Sequence, residues 1–262
     1  MPLGYIFALV LLGLLAGSFG ALVGLGGGVI IVPALTLLFD MPIQTAVGTS
    51  LVCVIATSSA AAAVYVQQQL ADIRLGMVLE LGTALGAITG AVIVTWLSQA
   101  SLQIIFALFL FYAALLLWRR RASGDVSGVE VPAYQVRNYP LGMGVSYLAG
   151  ALSGMLGIGG GPIKVPLMYL AMGVPIKVAA ATSNFMIGVT AAASAFLYYS
   201  RGSVVPGLTA PLVVGVFLGA LVGARLLRRL ESRWVQWLLI LVLLYLAFQM
   251  LRDALPLIGA KL

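Results

Sequence analysis

The chain has 262 residues, of which 62% are hydrophobic and only 8% charged, with a net charge of +7 and no histidine. A soluble domain has about a quarter of its residues charged, so this composition, with a mean hydropathy of +1.14, excludes a soluble fold and indicates an integral membrane protein. The basic residues stand at the ends of apolar segments rather than along one face, which excludes nucleic acid as a partner and makes them topology signals.

Barrel strands would alternate apolar and polar residues, and that pattern is absent, so helices must satisfy the backbone in lipid. A span needs about 20 apolar residues, which leaves room for roughly eight to ten helical elements. Leu3–Val23 is the first span, without the basic n-region of a signal peptide. Gly13, Gly17, Gly20 and Gly24 recur along it at helical spacing and invite close approach by another helix. Gly26, Gly27 and Gly28 then break it. Val29–Phe39 is apolar but too short to cross hydrocarbon, so it reads as half a helix. After a turn at Asp40, Met41 and Pro42, a long small-residue helix is expected from Ile43 to about Val66, then a polar loop over Gln67–Arg74. The next span is Leu75–Leu97, with Glu80 near its start. An uncharged turn over Ser98–Ser101 leads to Leu102–Trp118, which is stopped by Arg119, Arg120 and Arg121.

Residues 123–139 read as a hydrophilic cytoplasmic linker between a first repeat, 1–122, and a second, 140–262. In the second repeat Leu141–Leu156 leads to Gly159, Gly160 and Gly161. Ile163–Met172 is short, Pro175–Tyr199 is long, and Gly207–Leu227 and Trp234–Leu251 complete the chain. Trp96, Trp118, Trp234 and Trp237 lie at segment ends, as an interfacial belt requires.

The halves are homologous. Shifted by 133 residues, as from 24 to 157, Gly24, Gly26, Gly27, Gly28, Ile30, Val32, Pro33, Pro42, Ile43, Ala46, Thr49 and Ser50 all recur. The same shift carries Tyr65 onto Tyr198, and Gly82, Gly86 and Gly90 onto Gly215, Gly219 and Gly223. Keeping Arg119–Arg121 and the cluster Arg225, Arg228, Arg229 and Arg233 on the cytoplasmic side requires an odd number of membrane elements per half. The expected fold is therefore an all-α polytopic membrane protein of two inverted-topology repeats, each with about five membrane elements and a short or broken helix after its glycine cluster.

A helix restarting after a glycine break offers unpaired N–H groups and a positive dipole end to an anion. The expected donors are the amides of Gly27, Gly28, Gly160 and Gly161, completed by Thr49, Ser50, Thr182, Ser183 and Asn184. The competing structural readings are close helix crossing for the glycines and i−4 back-bonding for the hydroxyls. Asn184 stands where the first half has Leu51, and Lys164 where it has Ile31. An ionisable group at membrane depth is a functional candidate, although Lys164 could instead snorkel to the interface. Glu80 is the candidate for proton coupling, with helix capping as its alternative. A dinucleotide or P-loop reading fails, since GLGGGVI lacks the G-x-G-x-x-G order and follows an apolar helix. With one cysteine, Cys53, and no histidine, no disulfide, metal site or cofactor is expected, and the chain is not read as an enzyme.

With its Gly-Gly-Gly-x-x-x-x-Pro pattern at Gly26–Pro33 and Gly159–Pro166 and Thr-Ser at 49/50 and 182/183, the chain resembles the TauE/SafE family of sulfite and organosulfonate exporters over nearly its whole length. The resemblance implies a multi-pass carrier of the bacterial inner (cytoplasmic) membrane, without ATPase domains. It would move sulfite, sulfoacetate or related sulfonates; alternating access and export are the mechanism and direction expected here, and the resemblance itself fits uptake as well. An anion channel, an uptake permease for another small anion, an intramembrane enzyme and a subunit of a larger complex stay open as alternatives. The expected partners are a small anion and the lipid bilayer, and a homo-oligomer is compatible with the pattern.

Overall fold

The computed structural model describes residues 3–122, 134–226 and 233–259. They form ten α-helices: α1 (Leu3–Val23), α2 (Gly28–Leu38), α3 (Ile43–Gln67), α4 (Ile73–Ile93), α5 (Gln99–Ala122), α6 (Tyr139–Leu156), α7 (Gly161–Pro166), α8 (Ile176–Ser200), α9 (Pro206–Leu226) and α10 (Arg233–Gly259). Six stretches, drawn from α1, α3, α4, α5, α8 and α9, are long and apolar enough to cross a membrane. The chain is a multi-pass membrane protein, all-helical among the described residues.

The two half-helices are present. α2 has 11 residues and α7 has 6. Behind α7, Pro166 cannot donate to the helical ladder, and the chain continues as a π-helical turn, Leu167–Ala171. The turn expected over Ser98–Ser101 is shorter, because α5 already begins at Gln99. Ser98 acts as its cap: its Oγ accepts the Ser101 N–H at 3.1 Å, satisfying an orphan donor of the first turn.

Most of the predicted linker lies outside the described residues, as do Arg228 and Arg229. Its last part is pinned to the second half, with the Arg137 N–H donating to the Met172 carbonyl and Asn138 Nδ2 to that of Ala171. Tyr134 donates to Asp72 Oδ2 at 2.7 Å. Burial, reinforced by this carboxylate, pushes the phenol above the usual tyrosine range.

The halves embrace rather than sit side by side. α1 packs along α9, whereas its repeat mate α6 packs along α4; α3 crosses α8, and α5 lies on α10. Glycines allow the tightest of these crossings. A Cβ added at Gly86 would stand 2.0 Å from the Tyr147 carbonyl oxygen, and one at Gly219 would stand 2.1 Å from that of Leu14. Gly90 faces Ala151, and Gly223 faces Ser18, in the same way. Each pair maps onto the other by the 133-residue shift, as from 14 to 147. Two tyrosines lock the crossings: Tyr65 donates to the Ala21 carbonyl, and Tyr198 to that of Gly154, both at 2.9 Å.

Backbone against backbone leaves no room for a methyl group. Gly86→Ala is expected to destabilise the protein by about 1–3 kcal/mol through overpacking. Gly144→Ala, on α6 where nothing lies within 4 Å of the added atom, should hold or slightly raise the melting temperature through better helix propensity. Thermal unfolding in detergent compares the two, and equal melting temperatures would remove the close crossing as a source of stability.

Candidate functional site

The interruption after α1 is built from left-handed residues. Gly24, Gly26 and Gly27 have φ of 79°, 73° and 80°, and Gly157, Gly159 and Gly160 have 70°, 75° and 75°. Side chains with a Cβ are strained in this region, so glycine is required. In the first turn the Gly20 carbonyl accepts three successive N–H groups, from Gly24, Leu25 and Gly26, at 3.0–3.3 Å. Gly27 and Gly160 then become the N-caps of α2 and α7.

The two turns meet head to head. Ser50 Oγ donates to the Gly157 carbonyl at 2.9 Å, and its repeat mate Ser183 lies 3.5 Å from the Gly24 carbonyl. Each serine therefore serves the turn of the other half. A Cβ at Gly28 would come within 2.2 Å of the Gly157 oxygen, and one at Gly161 within 2.0 Å of the Gly24 oxygen. The two helix starts, expected around one central volume, do converge. That volume, however, is filled. Val54 and Ile187, repeat mates themselves, reach within 3.3 and 3.0 Å of a Cβ built on Gly26, and within 3.1 and 2.4 Å of one on Gly159. Near the first turn a hollow of about 10 Å³, bordered by Phe19, Leu25, Val29 and Leu243, is no larger than a water molecule needs.

The remaining hydroxyl and amide candidates divide. Thr49 is fully buried with an unpartnered Oγ1. Thr182 is drawn to the loop before α4, where its Oγ1 accepts the Asp72 N–H at 2.9 Å. Asp72, not Glu80, caps α4, its Oδ1 accepting the Leu75 N–H. Asn184 Nδ2 donates to the carbonyls of Ala180 at 3.1 Å and Ala21 at 3.3 Å, while its Oδ1 has no partner.

The structure joins two residues that the sequence left separate. Lys164 is fully buried and does not snorkel. Its Nζ lies 3.5 Å from Glu80 Oε2 and donates to Thr190 Oγ1 at 2.8 Å. Thr190 donates in turn to Glu80 Oε1 at 2.6 Å, and Thr83 donates to Oε2 at 2.7 Å. A buried ion pair repays its desolvation only when further hydrogen bonds satisfy both partners, and the two threonines supply them. Thr83 and Thr190 were missed in the sequence reading. For Thr83 the available signal was the broken repeat, since Lys164, Glu80 and Thr83 stand opposite Ile31, Val213 and Val216; Thr190 recurs as Thr57 and gave none.

Comparison with known proteins matches this architecture. A family model described as "Sulfite exporter TauE/SafE" matches residues 9–250. The probable membrane transporter protein YunE of Bacillus subtilis (strain 168) is 30% identical over 264 residues, covering 94% of this chain and 97% of that protein. A second protein of that organism, the probable membrane transporter protein YdhB, is 31% identical and covers 84% of this chain and 88% of its own length. The Arabidopsis thaliana Sulfite exporter TauE/SafE family protein 1 is 33% identical over 90 residues, 34% of this chain and 20% of that protein. With a match spanning nearly every helix and relatives named as membrane transporters rather than enzymes, the chain belongs to the TauE/SafE family of membrane transporters.

Proposed function

We propose that this chain is a secondary transporter that exports small sulfur-containing anions, namely sulfite, sulfoacetate or related organosulfonates, across the cytoplasmic membrane by alternating access. The observation that carries the reading is the meeting of two glycine-built helix starts beside a fully buried lysine. A helix start has N–H groups without intrahelical acceptors, and together with Lys164 these suit an oxyanion in a buried site. The sulfite in the family description supports the choice of anion.

In this reading the amides of Gly27, Gly28, Gly160 and Gly161 hold the anion's oxygens, with Thr49, Ser50, Thr182, Ser183, Asn184 and Lys164 around them. Glu80 supplies the proton link. Val54 and Ile187 close the volume in the conformation described, so loading the anion requires the two turns to part. The second half is inverted relative to the first, and rocking of one half on the other exposes the site to each side in turn.

Proteoliposomes loaded with sulfite or sulfoacetate should show saturable counterflow of the same labelled anion. Steady unitary currents in place of exchange would replace the carrier with a channel. Asn184→Ala should lower sulfoacetate affinity about tenfold, as loss of one hydrogen bond to a charged ligand does. Titration calorimetry measures this, and unchanged affinity in a folded variant would take Asn184 out of the site.

A further inference from the structure

The Lys164, Glu80, Thr83 and Thr190 cluster is the part of the interior that the repeat does not explain. At the equivalent place on the other side stand Ile31, Val213, Val216 and Thr57, and Thr57 merely back-bonds to the Cys53 carbonyl of its own helix at 3.0 Å. The scaffold therefore folds with an apolar version of this cluster. The polar version sits on one side only.

Beside it, α6 carries two fully buried hydroxyls without a partner, Ser146 and Ser153. Their repeat mates are Gly13 and Gly20. They flank Ala149 and Gly150 on one helix face, and this is where α6 reaches the cluster. A Cβ on Gly160 would lie 3.0 Å from the Ala149 carbonyl oxygen and 3.3 Å from Cε of Lys164, and one on Gly150 would meet the Thr83 carbonyl. Buried hydroxyls normally find an acceptor or donor. Two left unpaired on the helix that borders a buried cation indicate that this flank has hydrogen-bonding capacity beyond what Glu80 uses.

We infer that Lys164, Thr190 and Thr83, with the α6 hydroxyls nearby, form an oxyanion site whose anion position is occupied at rest by the carboxylate of Glu80. This rests on the proposed anion transport and specifies where the charge of the anion is held. The incoming anion replaces the carboxylate on Lys164 Nζ and the two threonine hydroxyls. Glu80 withdraws as the neutral acid, taking up one proton from the buffered solvent, because two negative charges facing one lysine would leave one unpaired in an apolar interior. For a monoanion the charge of the site is unchanged by the exchange: the ionised carboxylate leaves, the anion enters, and one proton is bound.

The surrounding elements bring no competing described charge to the cluster, since Arg74, the other charged residue of α4, is exposed. α6 has no Asp, Glu, Lys or Arg, and α7 has only Lys164. Lys177 lies in the first turn of α8, remote from Thr190, and Asp72 with Tyr134 lies at the N-terminus of α4. Tyr198 is tied to the Gly154 carbonyl, and Tyr147 on α6 is exposed.

The test is titration calorimetry of the full chain in lipid nanodiscs with methanesulfonate, a monoanion that does not itself titrate, in buffers of differing ionisation enthalpy. Wild type should take up about one proton per anion, and its affinity should fall by up to about tenfold per pH unit as pH rises from 6 to 8. In Glu80→Gln the proton uptake should vanish and the affinity become independent of pH. Because that variant leaves a buried lysine without its counter-ion, a second variant guards against misfolding. Glu80→Val combined with Lys164→Ile copies the residues of the first half, should fold, and should bind about 100-fold more weakly. Binding without proton uptake in wild type, uptake that persists in Glu80→Gln, or wild-type affinity in the double variant would overturn this inference alone. A wild type that binds neither methanesulfonate nor sulfite would overturn the proposed substrate class with it.

Discussion

Interrupting a helix inside an apolar interior creates carbonyl and amide groups that no solvent can satisfy, and the whole arrangement follows from how these are met. The carbonyls of Gly24 and Gly157 face the serine of the opposite half, Ser183 and Ser50. For the serines to arrive, α3 and α8 must cross at the centre. For the turns to touch, positions 28 and 161 must lack a side chain. The duplicated Gly-Gly-Gly and Thr-Ser signatures are thus two parts of one contact. Neither half can complete it without the other.

Much of this was legible in the sequence. The spans of α1, α3, α8 and α9 were readable to within a residue or two from apolar runs ended by glycine, proline or charge, and the shortness of α2 followed from the spacing between Gly28 and Pro42. The pairing of helices was not. Nothing local in Gly86 says that it faces Tyr147 rather than a neighbour in sequence, because a glycine marks a close approach without naming the partner. The Lys164 and Glu80 contact was hidden for a related reason: the two lie on different halves, and each alone had a plausible interfacial or capping role. Only their shared departure from the repeat, against Ile31 and Val213, set them apart.

The interior therefore combines a paired scaffold with a one-sided charge. Glycine ladders, tyrosine locks and serine braces occur in both halves with matching partners, while the ion pair and Thr83 occur once. Duplicated features are what stability at the crossings demands. Features that break the pairing carry a desolvation penalty that the apolar version at Ile31 and Val213 avoids, so they are better explained by work than by packing.

The embrace of the halves also sets how far apart in the chain the partners of each crossing lie. Ser18 on α1 bonds to the Gly219 carbonyl on α9 at 3.0 Å, across 201 residues of chain. The glycine face of α1 is covered only when α9 is in place against it. α4 needs only α6, two helices further along the chain, so this crossing joins partners much closer in sequence than the crossing of α1 with α9.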